Sequence, residues 1–281
     1  MATILVTGGV GFIGSRLCER LVLDGHKVIS LDNCFAGSKE NTISGVTYYT
    51  GHTKDIETVL KETPDLVYHL GEYSRVERSL TEPEVVWDLN IAGTFAVLEY
   101  CRKRNIKMVY AGSSTKFADG GLGRDQSPYA WTKATNTELV RNYGAWYGLP
   151  YAITYFYNVY GPGERAGKYG TVIEIFRQKR LNGEALQVNA PGTQKRNFTH
   201  IDDIVNGLVL VGEKGEGDEF GIGCEDSFSI KEVAELFGGE VSMGPEVAGN
   251  RMSSDIDTTK TRLLGWEPTH SLPEYIKSIL P

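Results

Sequence analysis

From the N-terminus to about residue 160, short apolar runs alternate with stretches in which apolar residues recur every three or four positions. The runs TILVTG (3–8), KVISLD (27–32), GVTYYTG (45–51), DLVYHLG (65–71), KMVYAGS (107–113) and PYAITYFY (150–157) have strand length and few polar interruptions. The periodic stretches Phe12 to Leu23, Ile56 to Glu62, Pro83 to Arg104 and Tyr129 to Tyr147 are predicted helices. Strand–helix alternation of this kind predicts an α/β architecture, a parallel sheet with helices on both faces. Strands buried on both faces should be nearly continuous in apolar residues, as ILV and LVYHL are.

Beyond Tyr160 the pattern is less regular. GTVIEIFRQKRLNG and DDIVNGLVLVGEK read as helices, the second capped near Asp202. SIKEVAELFGG offers Ser229 as an N-cap with Glu232 three residues on, and SLPEYIKSIL repeats the arrangement with Ser271 and Glu274. The expected organisation is a first domain over 1–160, with 193–213 contributing, and a smaller ligand-binding lobe over 161–281. A lobe folded against the end of a parallel sheet makes a cleft.

Composition narrows the function. The chain has 281 residues, 41% hydrophobic and 23% charged, as in ordinary globular proteins. A formal charge of -7 argues against a nucleic-acid surface, which needs concentrated Lys and Arg. The four cysteines, Cys18, Cys34, Cys101 and Cys224, show no C-x-x-C spacing, and free thiols in a reducing compartment are expected. No apolar run has transmembrane length and MATILVTGG is not a cleavable leader, so a cytoplasmic location with no membrane partner is expected. His69 and His200 lack a second ligand at metal spacing and are read as structural, with no metal site expected.

TGGVGFIGS (7–15) follows the first strand and opens the first helix, with Gly8, Gly11 and Gly14 spaced G-x-x-G-x-x-G around Phe12 and Ile13. Such a turn lets backbone N–H groups and the helix N-terminus approach a pyrophosphate. Asp32 ends the second strand 18 residues beyond Gly14, where a carboxylate accepts from ribose hydroxyls and repels a 2′-phosphate. NAD is therefore favoured over NADP.

With these segments in view, the chain resembles an extended short-chain dehydrogenase/reductase of the nucleotide-sugar epimerase/dehydratase family, over nearly its whole length. TGGVGFIG resembles the family's opening fingerprint. LDNCFAG (31–37) resembles its adenosine segment, implicating Asp32, Asn33, Ala36 and Gly37. HLGEYSRVERS (69–79) resembles H-L-A-A-x-x-x-V-x-x-S, implying Leu70, Gly71, Glu72 and Ser74 beside the cofactor. NIAGT (90–94) resembles N-x-x-G-T, with Asn90 near the nicotinamide half; YFYNVYGP and RNFTHIDDIV resemble later motifs. The resemblance implies a Rossmann-type doubly wound sheet with a smaller C-terminal substrate-binding lobe, and a homodimer built on helices 83–104 and 129–147.

Tyr129 and Lys133 in SPYAWTKATNTELV lie four residues apart, on one helix face. A lone Y-x-x-x-K is common by chance; the resemblance makes it the catalytic pair, with Ser114 as the hydroxyl after the fifth strand. A free phenol titrates near 10, so only about one in a thousand is ionised at neutral pH, and a nearby ammonium favours the phenolate. Tyr129 would take the proton of a sugar hydroxyl and return it, with Ser114 hydrogen-bonding that oxygen and Lys133 also holding the nicotinamide ribose. The resemblance implies a nucleotide-diphosphate sugar substrate, UDP favoured, gripped by Asn158, Arg196 and Arg251.

Departures from the family pattern bear on substrate and outcome. Dehydratases of the family carry Asp-Glu after the catalytic hydroxyl; Thr115 and Lys116 stand here, which favours C4 epimerisation over dehydration, with a dehydratase or decarboxylase on the same scaffold as the nearest alternative. Lys116 is read either as an ordinary lysine or as a contact to a sugar C6 carboxylate. His52 replaces an acid near the adenine, Tyr155 replaces an Arg, and Phe117-Ala118-Asp119 replaces Val-Tyr-Gly. A non-catalytic NAD-binding protein is the reading of a different class, and it has no need of Ser114, Tyr129 and Lys133 together.

Overall fold

A computed structural model of the chain describes residues 1–117, 123–167, 169–246 and 256–281, without the side chains of Lys116 and Phe117. Six of its strands, β1 (Thr3–Thr7), β2 (Lys27–Asp32), β3 (Val46–Thr50), β4 (Leu66–His69), β5 (Lys107–Ser113) and β6 (Tyr151–Phe156), fall within the predicted runs. With the Gly217–Ile222 strand they form one seven-stranded sheet, ordered Gly217–Ile222, β6, β5, β4, β1, β2, β3. All the pairings are parallel. β1 lies between β2 and β4, so the strand order reverses there and opens a crevice beyond their C-terminal ends.

Both faces of the sheet are covered, which is why its strands read as continuous apolar runs. Helices Phe12–Leu23 and Ile201–Lys214 pack on one face, around Leu17, Leu21, Ile204 and Leu208. Helices Gly93–Arg104 and Pro128–Tyr147 cover the other, around Val97, Leu98 and Val140. Each fully buried aliphatic of this kind contributes about 1.5–3 kcal/mol. A separate core unites helices Val172–Leu181, Ile230–Phe237 and Leu272–Ile279. The chain returns to the first body later than expected: the Gly217–Ile222 strand is an edge of the main sheet, and Trp266 is buried in the first core. Residues 161–281 are thus not all one lobe.

Three local expectations are corrected. The 83–104 stretch is two α-helices, Pro83–Val86 and Gly93–Arg104, joined by a π-helical segment Trp87–Ala92. Within it, the Asn90 carbonyl accepts from Asn136 Nδ2 at 2.9 Å, a tertiary bond that accompanies the wider turn. The cap of the Ile201–Lys214 helix is His200, whose Nδ1 accepts from Asp202 N, and not Asp202 itself. Ser229 and Glu232 form the full capping box, whereas Ser271 makes no side-chain cap bond. Among the described residues no helix is long and apolar enough to cross a membrane, and all four cysteines are free.

The caps give a paired test. Ser229→Ala should cost about 1 kcal/mol in urea-induced unfolding, and Ser271→Ala only a few tenths. Equal losses would contradict the difference between the two helix starts.

Candidate active site

At the β1–β4 crevice the backbone of one turn nearly touches another. Gly8, at φ +77°, would bring a Cβ to 3.0 Å from the Gly71 backbone, and a Cβ on Gly14 would lie 2.1 Å from the Gly8 carbonyl oxygen. Only hydrogen fits at either place, and the turn leaves the start of the Phe12–Leu23 helix bare. Asp32 is fixed at the far side: Oδ2 accepts from Val10 N at 3.0 Å and Oδ1 from Cys34 N at 2.7 Å. Its remaining lone pairs can accept from ribose hydroxyls. These are the features a dinucleotide needs, so the residues fit NAD.

One cavity of about 910 Å³ runs from this turn to the second lobe. Gly8, Gly11, Phe12, Ile13, Gly14, Asp32, Asn33, Ala36, Gly37, Leu70, Gly71 and Ser74 line its first part, Ser114, Tyr129 and Lys133 its middle, Asn158 and Arg196 its far end. The structure thereby brings together most of the residues singled out from sequence. The expectations for Arg251 and for the Lys116 side chain lie outside the described residues. His52 does not line the cavity; Gly51 and Thr53 do, and His52 Nδ1 caps the next turn through Lys54 N at 2.9 Å. Tyr155, in place of the family's Arg, donates to Asp218 Oδ1 at 2.6 Å and ties β6 to the edge strand.

The position of the Tyr–Lys pair follows from its helix start. Ser127 Oγ accepts from Ala130 N at 3.1 Å and Pro128 occupies the first turn, so Tyr129 begins the helix at the sheet's edge. Tyr129 Oη donates to Ser113 Oγ at 3.1 Å. Tyr129 thus meets Ser113, the last residue of β5, while Ser114, the hydroxyl expected here, opens the following 3-10 turn and also lines the cavity. One turn on, Lys133 donates to the Ala111 carbonyl at 2.5 Å and makes a very short ion pair with Glu72 Oε2.

Two expected cofactor contacts face elsewhere. Asn90 is buried and absent from the cavity wall; its Oδ1 accepts from Tyr73 N at 2.7 Å and its Nδ2 donates to Thr132 Oγ1 at 2.9 Å. It braces the Tyr129 helix from behind. Glu72 borders the cavity, but its carboxylate turns inward, with a side-chain exposure of 2%. There Oε1 accepts from Thr94 Oγ1 at 2.8 Å, Asn136 Nδ2 at 2.8 Å and Tyr110 Oη at 3.2 Å, and Oε2 receives Lys133.

Counting donors fixes the protons behind this carboxylate. The Thr94 hydroxyl gives its only proton to Glu72, so His69 Nε2, 2.9 Å away, donates to Thr94. His69 Nδ1 then accepts from Thr7 Oγ1 at 2.8 Å, and Thr7 in turn accepts from Leu70 N and Gly71 N. His69 is a neutral structural relay, as its sequence setting suggested. Burial pushes its pKa down to about 4, against the opposing pull of Glu72. Burial would raise the Glu72 carboxyl, but the Lys133 ammonium and the Thr94 bond outweigh it and hold it below the ordinary carboxylate range.

Sequence reading missed Arg75, Tyr169 and the second hydroxyl, Ser113. Arg75 Nε donates to the Tyr169 carbonyl at 2.9 Å, joining the 161–171 segment to the cavity wall. His200 does have partners at metal-ligand range, Asp202 and His270, with ligand atoms within 4.8 Å of one another. His270 was invisible as a partner because it lies 70 residues away. The two imidazoles stack at 4.0 Å and 17°, so their in-plane lone pairs run side by side and do not converge.

Comparison with known proteins agrees with this geometry. The model of the NAD dependent epimerase/dehydratase family matches residues 4–223. A putative UDP-glucose 4-epimerase of Methanocaldococcus jannaschii is 31% identical, over 99% of this chain and 97% of its own length. A UDP-N-acetyl-alpha-D-glucosaminuronate decarboxylase of Bacillus cytotoxicus is also 31% identical, over 82% of this chain and 78% of its own. The crystal structure of UDP-glucose 4-epimerase from Thermotoga maritima with UDP-glucose superposes with a TM-score of 0.91 at 29% identity, covering 98% of this chain and 96% of that one.

A neutral His69 makes stability depend on pH. The unfolded chain protonates this histidine near pH 6.5 and the folded one only at about 4. As pH falls below 6.5 the unfolded state gains the proton first, so this contribution is present above 6.5 and lost on the way to 4. The stability difference between wild type and His69→Gln should therefore shift against the wild type by about 2 kcal/mol from pH 7 to pH 5. A constant difference would mean that the folded protein protonates His69 as readily as the unfolded chain does.

Proposed function

The chain belongs to the NAD dependent epimerase/dehydratase family, and from that premise we propose that it is a nucleotide-sugar epimerase acting at C4 through a transient 4-keto sugar. The observation that carries this reading is the Tyr129 phenol, hydrogen-bonded to Ser113 inside the cavity that starts at the glycine turn. Bound NAD supplies a hydride acceptor and donor. The protein's residues handle the proton and the geometry. Tyr129 takes the proton of the C4 hydroxyl, and Ser113 and Ser114 present hydroxyls to that oxygen. Lys133 reaches the nicotinamide ribose with its remaining N–H. Once the keto sugar has presented its other face, Tyr129 returns the proton.

The substrate class is a nucleotide-diphosphate sugar, UDP favoured, held at the second lobe by Asn158 and Arg196. A bidentate guanidinium suits a diphosphate, and the family pattern assigns Arg251 to it as well, while Lys116, a departure from that pattern, is assigned to the sugar's C6 group. A decarboxylase or 4,6-dehydratase on the same scaffold is the second reading, favoured by the Bacillus cytotoxicus relative at equal identity. Against dehydration stands Thr115-Lys116 where family dehydratases have two acids. We assign the cytoplasm as its compartment and a homodimer as its assembly. Trp87, Phe95, Trp131, Trp146 and Tyr147 are exposed on helices 83–104 and 128–147, with Trp87 stacked on Trp131 at 5.8 Å. A second copy would cover these rings.

The test is product identity. UDP-glucose, UDP-galactose and UDP-glucuronate are incubated separately with NAD-loaded protein and followed by NMR. Interconversion of C4 epimers without NADH accumulation is expected, slowed at least about 100-fold by Tyr129→Phe. Release of CO2, a 4-keto-6-deoxy product, or undiminished turnover by Tyr129→Phe would overturn the reading.

A further inference from the structure

The Glu72 carboxylate has no place in the reaction as described, yet it is the most completely bonded group in the site. Its Oε1 accepts from three donors, Thr94, Asn136 and Tyr110, and its Oε2 from the Lys133 ammonium. Side-chain exposures of 2% for Glu72 and 7% for Lys133 leave water little access to the pair. A carboxylate turned inward and so little exposed is held by the protein's own donors, and its charged partner is the lysine on which the Tyr129 chemistry depends.

The consequence is electrostatic. A lone buried ammonium one helical turn from Tyr129 would favour the phenolate at all times, whether or not the site is loaded. With Glu72 ion-paired to it, that field is largely cancelled. The other groups facing the pair do not replace it. His69 from β4 is neutral, and Tyr110 from β5 stays protonated because burial and Glu72 push it well above the usual phenol range. Arg75, from the segment after Glu72, is the second cation facing Tyr129; its guanidinium is bonded to the Tyr169 and Ser74 carbonyls. The charges of ammonium, carboxylate, phenolate and an oxidised nicotinamide ring sum to zero, and Arg75 adds one positive charge; without the carboxylate the set would carry two.

We propose that Glu72 is a positioning residue: it fixes Lys133 through the buried ion pair and cancels the ammonium charge, so that Tyr129 ionises readily only when a bound cofactor adds a positive charge. This rests on Tyr129 being the acid–base residue, and it extends that assignment to the control of its proton.

The experiment is an ultraviolet phenolate titration of cofactor-free protein, with Tyr129 isolated by subtracting the matching Tyr129→Phe protein in each background. It needs no sugar turnover, so a failed epimerase assay leaves it interpretable. Glu72→Gln, which keeps shape and loses charge, should lower the Tyr129 midpoint by about one pH unit or more. Glu72→Asp, which keeps the charge, should stay within a few tenths of the wild type. A Glu72→Gln midpoint equal to wild type, or a Glu72→Asp shift as large as that of Glu72→Gln, would overturn the proposal, the latter assigning the effect to packing. Should Glu72→Gln not fold, the charge-free pair Glu72→Gln/Lys133→Met is read against Lys133→Met alone. A midpoint returned to the wild-type value supports cancellation, and one left as high as that of Lys133→Met contradicts it. Adding NAD should lower the wild-type midpoint; no change on saturation would equally contradict the coupling.

Discussion

A buried ammonium must be paired, and at the centre of this molecule Lys133 is paired with Glu72. Removing both charges from water costs several kcal/mol per ion, and attraction offsets that only when the remaining lone pairs and protons are satisfied. Here Ala111, Thr94, Asn136 and Tyr110 satisfy most of them, leaving one Lys133 N–H and one lone pair of Glu72 Oε2. The pair draws on β4, β5 and two helices of one sheet face, so its geometry holds only if those elements are correctly assembled. Deleting one partner alone would leave an uncompensated buried charge.

The rest of the site is arranged around that fixed point. Parallel pairing of β1 with both β2 and β4 brings Gly8 against Gly71, close enough that a Cβ on Gly8 would meet the Gly71 backbone at 3.0 Å. That approach delivers the residues after β4, Glu72 among them, to the same edge as the glycine turn. The Ser127 cap starts the Tyr129 helix at the same level, and the π-helical segment gives Asn90 a hold on both Tyr73 and Thr132. A chain with this topology places the glycine turn, phenol and ammonium along one cavity, with Asn158 and Arg196 lining it as well.

Much of this was legible in the residues themselves. The apolar runs gave strands within a residue or two, because strands buried on both faces have few polar positions to blur them. The helix start at Ser229 was legible because its capping box is local. What escaped was long-range. The π-helical segment depends on Asn136, far along the chain, and the return of the chain to the sheet at Gly217–Ile222 depends on pairing with β6. Ser113 and Ser114 are adjacent hydroxyls, and only the exit of β5 into a 3-10 turn sets which one meets Tyr129. Glu72 carried a signal that went unused: a charged residue stands where the family motif has alanine, and a buried lysine elsewhere in the chain needed a counter-ion. The inward turn of its carboxylate follows from Thr94, Tyr110 and Asn136, which no sequence spacing connects.

The central claim is that Lys133 serves cofactor and phenol while remaining bound to Glu72. A crystal structure of the protein with NAD tests it most directly. The expected result is a pyridine ring beside Tyr129, with the Lys133 ammonium within hydrogen-bond distance of both the nicotinamide ribose and the Glu72 carboxylate. A Lys133 that abandons Glu72 for the ribose, or a nicotinamide remote from Tyr129, would contradict it.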